Sequence, residues 1–202
     1  MKLVEFDHVD IVFGHDKKIP QALAQLDSGA DREKILTETG CVLGVANANL
    51  SIDEGEICVL MGLSGSGKST LLRAVNRLNK VTRGHVRVAD NDSIIDIVSC
   101  SDEVLCQMRM HRIAMVFQQF ALLPWRTVEE NVGLGLELRG VTKSERQKLV
   151  LEKLKLVQLE QWKDKYAHEL SGGMQQRVGL ARAFATDADI LLMDEPFQPL
   201  TR

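Results

Sequence analysis

Gly62-Leu63-Ser64-Gly65-Ser66-Gly67-Lys68-Ser69 decides the reading of this chain. It satisfies G-x-x-x-x-G-K-[ST], and its flanks suit that spacing: an apolar run at residues 57–61 precedes it, and Leu71, Leu72, Val75 and Leu78 recur at helical spacing after it. The pattern predicts a buried parallel strand, a tight loop, and a helix from about residue 69 to 79. Three glycines let the backbone curl so that successive N–H groups face a phosphate, and the helix start adds partial positive charge. Lys68 then reaches the β- and γ-phosphates, and the Ser69 hydroxyl ligates Mg²⁺. The stretch reads as a nucleoside triphosphate site. By itself it leaves kinases, GTPases, helicases and transport ATPases open.

Around that loop the composition is ordinary. The 202 residues are 45% hydrophobic and 26% charged, which excludes a disordered chain. A net charge of −3 argues against nucleic acid held by bulk electrostatics. The apolar runs fall far short of the ~20 residues that cross a bilayer, and Asp7, His8 and Asp10 stand where a signal peptide would be apolar. The expectation is a chain neither secreted nor membrane-spanning. Cys41, Cys58, Cys100 and Cys106 form no CxxC pair and have no histidine at ligand spacing, so they read as buried apolar residues or free thiols of a reducing compartment.

The pattern along the chain alternates strands with helices, which points to an α/β core. Residues 3–10 alternate strictly, with Leu3, Glu5, Asp7 and Val9 on one face and Val4, Phe6, His8 and Asp10 on the other, predicting a strand into Phe13. Residues 19–39 turn helical, split by Asp27-Ser28-Gly29, and a second strand follows at 45–52. Residues 85–88 and 94–98 read as strands of a smaller sheet. Helices are expected at 102–111, 128–138, 143–156 and 172–186, with buried strands at 113–117 and 190–193.

The run Ile190-Leu191-Leu192-Met193 ends in Asp194-Glu195. A carboxylate at the tip of a strand beside the phosphate loop can hold the metal through its water shell, the role given to Asp194. Glu195 is then placed to polarise a water in line with the γ-phosphate, as general base.

Leu170-Ser171-Gly172-Gly173-Met174-Gln175-Gln176-Arg177 resembles the signature sequence of ABC-type ATPases, and it precedes the Asp-Glu pair as that family requires. Gln118, after Ile113-Ala114-Met115-Val116-Phe117, matches the family's Q-loop glutamine. The resemblance implies a P-loop NTPase fold: a mixed, largely parallel core sheet with an antiparallel β subdomain and a helical subdomain at about 118–186. It implies ATP and Mg²⁺ as cofactors, nucleotide contacts from residues 62–69, Thr70 and a stacking Phe13, and metal contacts from Ser69, Gln118 and Asp194. Lys68, Gln118 and Glu195 would be catalytic. Ser171, as helix N-cap, would act with Gly172, Gly173 and Gln175 on the ATP of a second, head-to-tail subunit, because a bare helix start faces an anion. Residues 120–128, apolar and aromatic for a loop, would dock a permease on the cytoplasmic face of the membrane. Burial of Leu122 and Leu123 in the chain's own helices is the competing reading.

The helical insertion at 19–44, with Val45-Ala46-Asn47-Ala48-Asn49-Leu50 and Arg73-Ala74-Val75-Asn76-Arg77-Leu78, is similar to the ATPase subunits of glycine betaine/proline and choline importers. That kinship implies a quaternary ammonium cargo and, indirectly, a solute-binding protein as partner. No residue here would read the cargo. The family continues past Asp-Glu with S-A-L-D and, later, a switch histidine. Here Pro196-Phe197-Gln198-Pro199-Leu200-Thr201-Arg202 follows, and all five histidines precede Glu195. The expectation is one ABC-type domain over 1–202, a truncated importer ATPase lacking the later strand and with little or no hydrolysis alone, with a non-hydrolysing ATP-binding fragment or an importer of another small solute as alternatives.

Overall fold

A computed structural model of the chain describes residues 1–195; residues 196–202, where the departure from the family was read, lie outside the described residues. The chain divides into two compact units, one of Met1–Leu105 and one from Cys106 onward.

In the first unit β1 (Lys2–Phe13), β2 (Val42–Asp53), β3 (Arg83–Asp90) and β4 (Ser93–Asp96) form one antiparallel sheet in the order β2-β1-β3-β4. The pair expected as a smaller sheet thus joins β1. Val4 opposes Val88 and Phe6 opposes Val86, all buried. Strict alternation would turn Val9 toward the face of Glu5 and Asp7, and here the sheet departs from the pattern. His8, at φ 50°, forms a bulge opposite Gly84, at φ 93°, and the register with β3 slips between Asp7 and Asp10. A Cβ on Gly84 would lie 2.3 Å from the His8 carbonyl, so only glycine fits. Such a slip turns side chains over, and Val9 and Ile11 are both fully buried.

Asp10 is buried with them. It accepts from the Asn47 amide and from Arg83 Nε, each at 2.7 Å. The other guanidinium nitrogens of Arg83 clamp Asp27 at 2.9 and 2.7 Å. Hydrogen bonds to Asp27 and then Asp10 push the Arg83 pKa up, and the same bond from Arg83 pulls Asp27 down.

The insertion forms as the sequence predicts. α1 (Ile19–Asp27) carries Pro at its first turn, and α2 (Arg32–Thr39) is capped by Asp31, which accepts from the Lys34 amide at 2.8 Å, and ended by left-handed Gly40. Val12, Ala22, Ile35, Cys41 and Leu43 pack as one buried cluster that fastens both helices to β1 and β2. All four cysteines are free.

Two expectations fail beside the phosphate loop. Residues 57–61 are not a strand: Ile57, Val59 and Met61 are 90%, 69% and 87% exposed. An apolar run becomes a strand only where a neighbour completes its backbone hydrogen bonds, and no strand among the described residues pairs with this one. The helix expected to residue 79 is only α3 (Lys68–Leu72); turns follow, with Arg77 at φ 52°.

The second unit is built on β5 (Ile113–Val116) and β6 (Ile190–Met193), parallel from Ile113 opposite Ile190 to Val116 opposite Met193. α4 (Asp102–Gln107) leads through a π-helical turn into β5. The helix expected at 128–138 is two, α5 (Val128–Val132) and α6 (Leu134–Leu138), broken at Gly133. With α7 (Lys143–Leu156) and α8 (Gly172–Ala185) they bury Val128, Val132, Leu136, Leu154, Val178 and Ala181 in one core.

The bulge and the Asp10–Arg83–Asp27 clamp generate a prediction. Arg83→Met strands a buried carboxylate, so the unfolding free energy should fall by about 2–3 kcal/mol, less than for a fully desolvated pair because Arg83 is 44% exposed. Urea denaturation followed by circular dichroism measures it.

Candidate nucleotide site

The phosphate loop leaves regular structure after β2 and returns to it at α3, and its shape rests on glycines. Gly62, Gly65 and Gly67 have φ of 153°, 78° and 97°. Gly67 caps α3, and a Cβ there would lie 2.2 Å from the Gly44 carbonyl. Loop and strand therefore meet backbone to backbone. Lys68 Nζ donates to the carbonyls of Gly62 at 2.9 Å and Leu63 at 2.8 Å, so the ammonium sits over the loop that it serves. Leu63 and Ser64 are exposed, whereas Ser69 and Thr70 are half-buried.

Phe13 closes the other side of this cluster. A Cβ built on Gly44 would stand 2.8 Å from Phe13 Cε2 and 3.1 Å from Thr70 Cγ2. The ring, the start of α3 and the loop thus converge on a glycine, with Phe13 at 41% exposure. An aromatic face left open beside a phosphate cradle is suited to stack on a nucleobase.

The second unit holds the acids. Asp194 and Glu195 follow β6 and Gln118 follows β5, so all three lie at the C-terminal edge of a parallel pair, where open α/β sheets bind ligands. Gln118 Nε2 donates to Glu195 Oε2 at 2.9 Å. Asp194 is buried at 2% exposure, its amide donating to the Val116 carbonyl at 3.1 Å. Glu195 turns out of the strand with φ 49°.

Farther along the same unit, Ser171 caps α8 and its Oγ accepts from the Met174 amide at 3.4 Å. A Cβ on Gly173 would meet nothing within 4 Å. Packing among the described residues therefore does not demand glycine there.

Comparison with known proteins agrees with this geometry. The ABC transporter family model matches residues 45–198. The chain is 49% identical over 98% of its length to the glycine betaine transport ATP-binding protein OpuAA of Bacillus subtilis. It is 48% identical over 98% of its length to the glycine betaine/proline betaine transport system ATP-binding protein ProV of Escherichia coli. The chain belongs to the ABC transporter family.

It spans about half the length of these relatives, 46% of OpuAA and 48% of ProV. Among solved structures the ATP-binding cassette MJ0796, a dimer bound to ADP and Pi, matches with a TM-score of 0.79 and 34% identity over 98% of this chain and 76% of that one. The P-loop NTPase fold of an ABC cassette is thereby shown, with the departure at residues 57–61 noted above.

The first unit brings Phe13, Thr70 and the loop at Gly67 together around Gly44, and the second brings Gln118 to Glu195 beside Asp194. Gln175 Nε2 donates to the Ala167 and Leu170 carbonyls at 2.8 and 3.2 Å, bracing the turn into α8. The loop after Gln118 divides. Leu122 packs on the helical core, as the competing reading had it, while Trp125 is 70% exposed. Buried Asn131 fixes the loop's far end through bonds to the Leu123, Arg126 and Thr127 carbonyls.

Two contributors escaped the sequence reading. Gly44 is a glycine inside a strand pattern, which signals close approach of another backbone. Arg32, at the head of α2, carries no local signal at all.

The loop glycines should differ in their tolerance. Gly65→Ala meets nothing within 4 Å and should cost about 1 kcal/mol, the backbone penalty alone. Gly67→Ala adds a collision with the Gly44 carbonyl and should cost about 2 kcal/mol or more. Denaturant unfolding of the two variants side by side reads the difference.

Proposed function

We propose that this chain binds ATP, hydrolyses it as one half of a head-to-tail dimer, and so energises uptake of a quaternary ammonium osmolyte, glycine betaine in the first place, through a membrane permease. One observation carries the reading: a glycine-shaped loop with Lys68 over it, in a chain whose Gln118 donates to the carboxylate of Glu195. The name of OpuAA supports glycine betaine and that of ProV glycine betaine and proline betaine; choline rests on the sequence resemblance alone.

In this mechanism the loop amides and Lys68 take the phosphates, and Phe13 stacks on adenine. The hydroxyl of Ser69, the carbonyl oxygen of Gln118 and the carboxylate of Asp194 are hard oxygen donors, the set that magnesium takes in combination with nucleotide phosphates. The ion supplies charge neutralisation on the phosphates. Glu195 accepts a proton from water as that water attacks the γ-phosphorus, and ADP leaves. Gln118, through its bond to Glu195, fixes which way the carboxylate faces. Ser171 and Gly173 bind the γ-phosphate of the partner's ATP, which accounts for a glycine with open space around it. Trp125 and the exposed residues beside it in the 120–128 loop face the permease at the cytoplasmic surface of the membrane; no helix among the described residues is long and apolar enough to cross it. A solute-binding protein delivers the cargo, and nucleic acid has no part.

A second reading, nucleotide binding without turnover, is favoured by the exposed, unpaired run at 57–61 leading into the loop. Fluorescent-nucleotide titration and phosphate release decide between them. Wild type should bind Mg-ATP, and Lys68→Ala should weaken binding at least ~50-fold. Glu195→Gln should keep binding and lower turnover by about 10²–10³-fold, the range for a general base. Binding with no phosphate release from wild type selects the second reading, and no binding at all refutes both.

A further inference from the structure

The helical insertion places one cation against the phosphate loop. Arg32 is the first residue of α2, and its NH1 donates to the Gly65 carbonyl at 3.2 Å. NH2 lies 3.4 Å from the carbonyls of both Gly44 and Ser66. These three oxygens come from the two segments that touch at Gly67, where the Gly44 carbonyl would stand 2.2 Å from any Cβ.

A trans peptide holds its C=O and N–H on opposite sides. The Ser66 carbonyl and the Gly67 amide share one peptide plane. A cation held on that carbonyl therefore keeps the amide turned the other way, and it balances the negative end of the peptide dipole. A phosphate cradle needs its amides turned inward against their mutual repulsion, and that orientation is what a positive charge on the outer carbonyls favours.

Arg32 is delivered to this place by a rigid support. Asp31 caps α2, Gly40 ends it, and fully buried Ile35 fastens it into the cluster with Val12, Cys41 and Leu43. The guanidinium presents two nitrogens in a fixed planar fork, NH1 to Gly65 and NH2 to Gly44 and Ser66, whereas an ammonium is a single point of charge on a flexible stem.

We propose that Arg32 is a positioning residue for the nucleotide, holding the Gly65–Gly67 turn of the phosphate loop from behind, and that the insertion serves nucleotide affinity through it. The inference rests on the nucleotide-binding reading above. Arg32 contacts the loop and not the reacting atoms, so ADP and ATP should depend on it equally.

The test is titration of the full chain with fluorescent Mg-ADP and Mg-ATP, for wild type, Arg32→Ala, Arg32→Gln, Arg32→Lys and Lys68→Ala, with the thermal midpoint of each nucleotide-free protein alongside. Expected is an affinity loss of about tenfold for both nucleotides in Arg32→Ala and Arg32→Gln, in the range of hydrogen bonds to a charged group. Arg32→Lys should recover part of it, the loss should shrink at high salt, and the thermal midpoints should stay together. Unchanged affinity in Arg32→Ala, beside a Lys68→Ala that no longer binds, overturns the proposal while leaving the nucleotide reading intact. A loss matched by a fall in the thermal midpoint also overturns it, since the role is then only structural. Binding by Lys68→Ala as tight as wild type, or none by wild type, overturns the nucleotide reading and this inference with it.

Discussion

Two backbones touch where no side chain fits: the phosphate loop at Gly67 and strand β2 at Gly44. That approach is steric before it is chemical. It requires glycine at Gly67, where a Cβ would overlap the Gly44 carbonyl, while a Cβ on Gly44 would push aside the part-exposed Phe13 ring. Because the loop is pressed against β2, it inherits the stiffness of an antiparallel sheet that loop closure alone would not give it. The same contact brings the aromatic at the end of β1, Thr70 of α3 and Arg32 of the insertion into one neighbourhood. An aromatic ring, a glycine-shaped loop and a cation behind that loop thus meet around Gly44.

The second unit solves a comparable problem with hydrogen bonds. Gln118 stands on an irregular segment, and the chemistry asked of it depends on where that segment is held. Arg182, on α8, donates to the Phe120 and Ala121 carbonyls at 2.8 and 2.7 Å, and burial pulls its pKa down. Desolvating a guanidinium is costly unless its donors find acceptors, so its two short bonds mark a firm junction. Asn131 fastens the far end of the same segment. Gln118, Gln119 and Ala121 at its start and Pro124 and Trp125 at its tip are left to solvent.

What the sequence discloses about this fold depends on how far each cause reaches. α7 and β6 lie where periodicity puts them, because a helical stripe or a buried run is a local property. The loop motif is legible for the same reason: spacing alone fixes which amides can face a phosphate. The slip at His8 is not local, since it depends on Gly84 across the sheet, and so the facing of Val9 and Ile11 could not be read from alternation. Residues 57–61 show the converse. Their composition is that of a strand, yet strand identity belongs to a pair and not to a segment. Arg32 fails to announce itself because its meaning lies in carbonyls more than 30 residues away, with nothing in its own neighbourhood to mark it.

Helix α8 joins the two kinds of information. Its N-terminus is specified by Ser171 and by a glycine that packing among the described residues does not require; three turns on, Arg182 grips the segment that follows Gln118. A rigid helix with one end offered outward and its other end bonded to the loop that carries Gln118 cannot move at one end alone. Gln118 in turn bonds Glu195. Ser171, Arg182 and the Gln118–Glu195 pair are thus linked within the second unit by one helix and a short series of hydrogen bonds. Gln175 turns inward, and its bonds to the Ala167 and Leu170 carbonyls tie the turn before α8 to the helix's first turn.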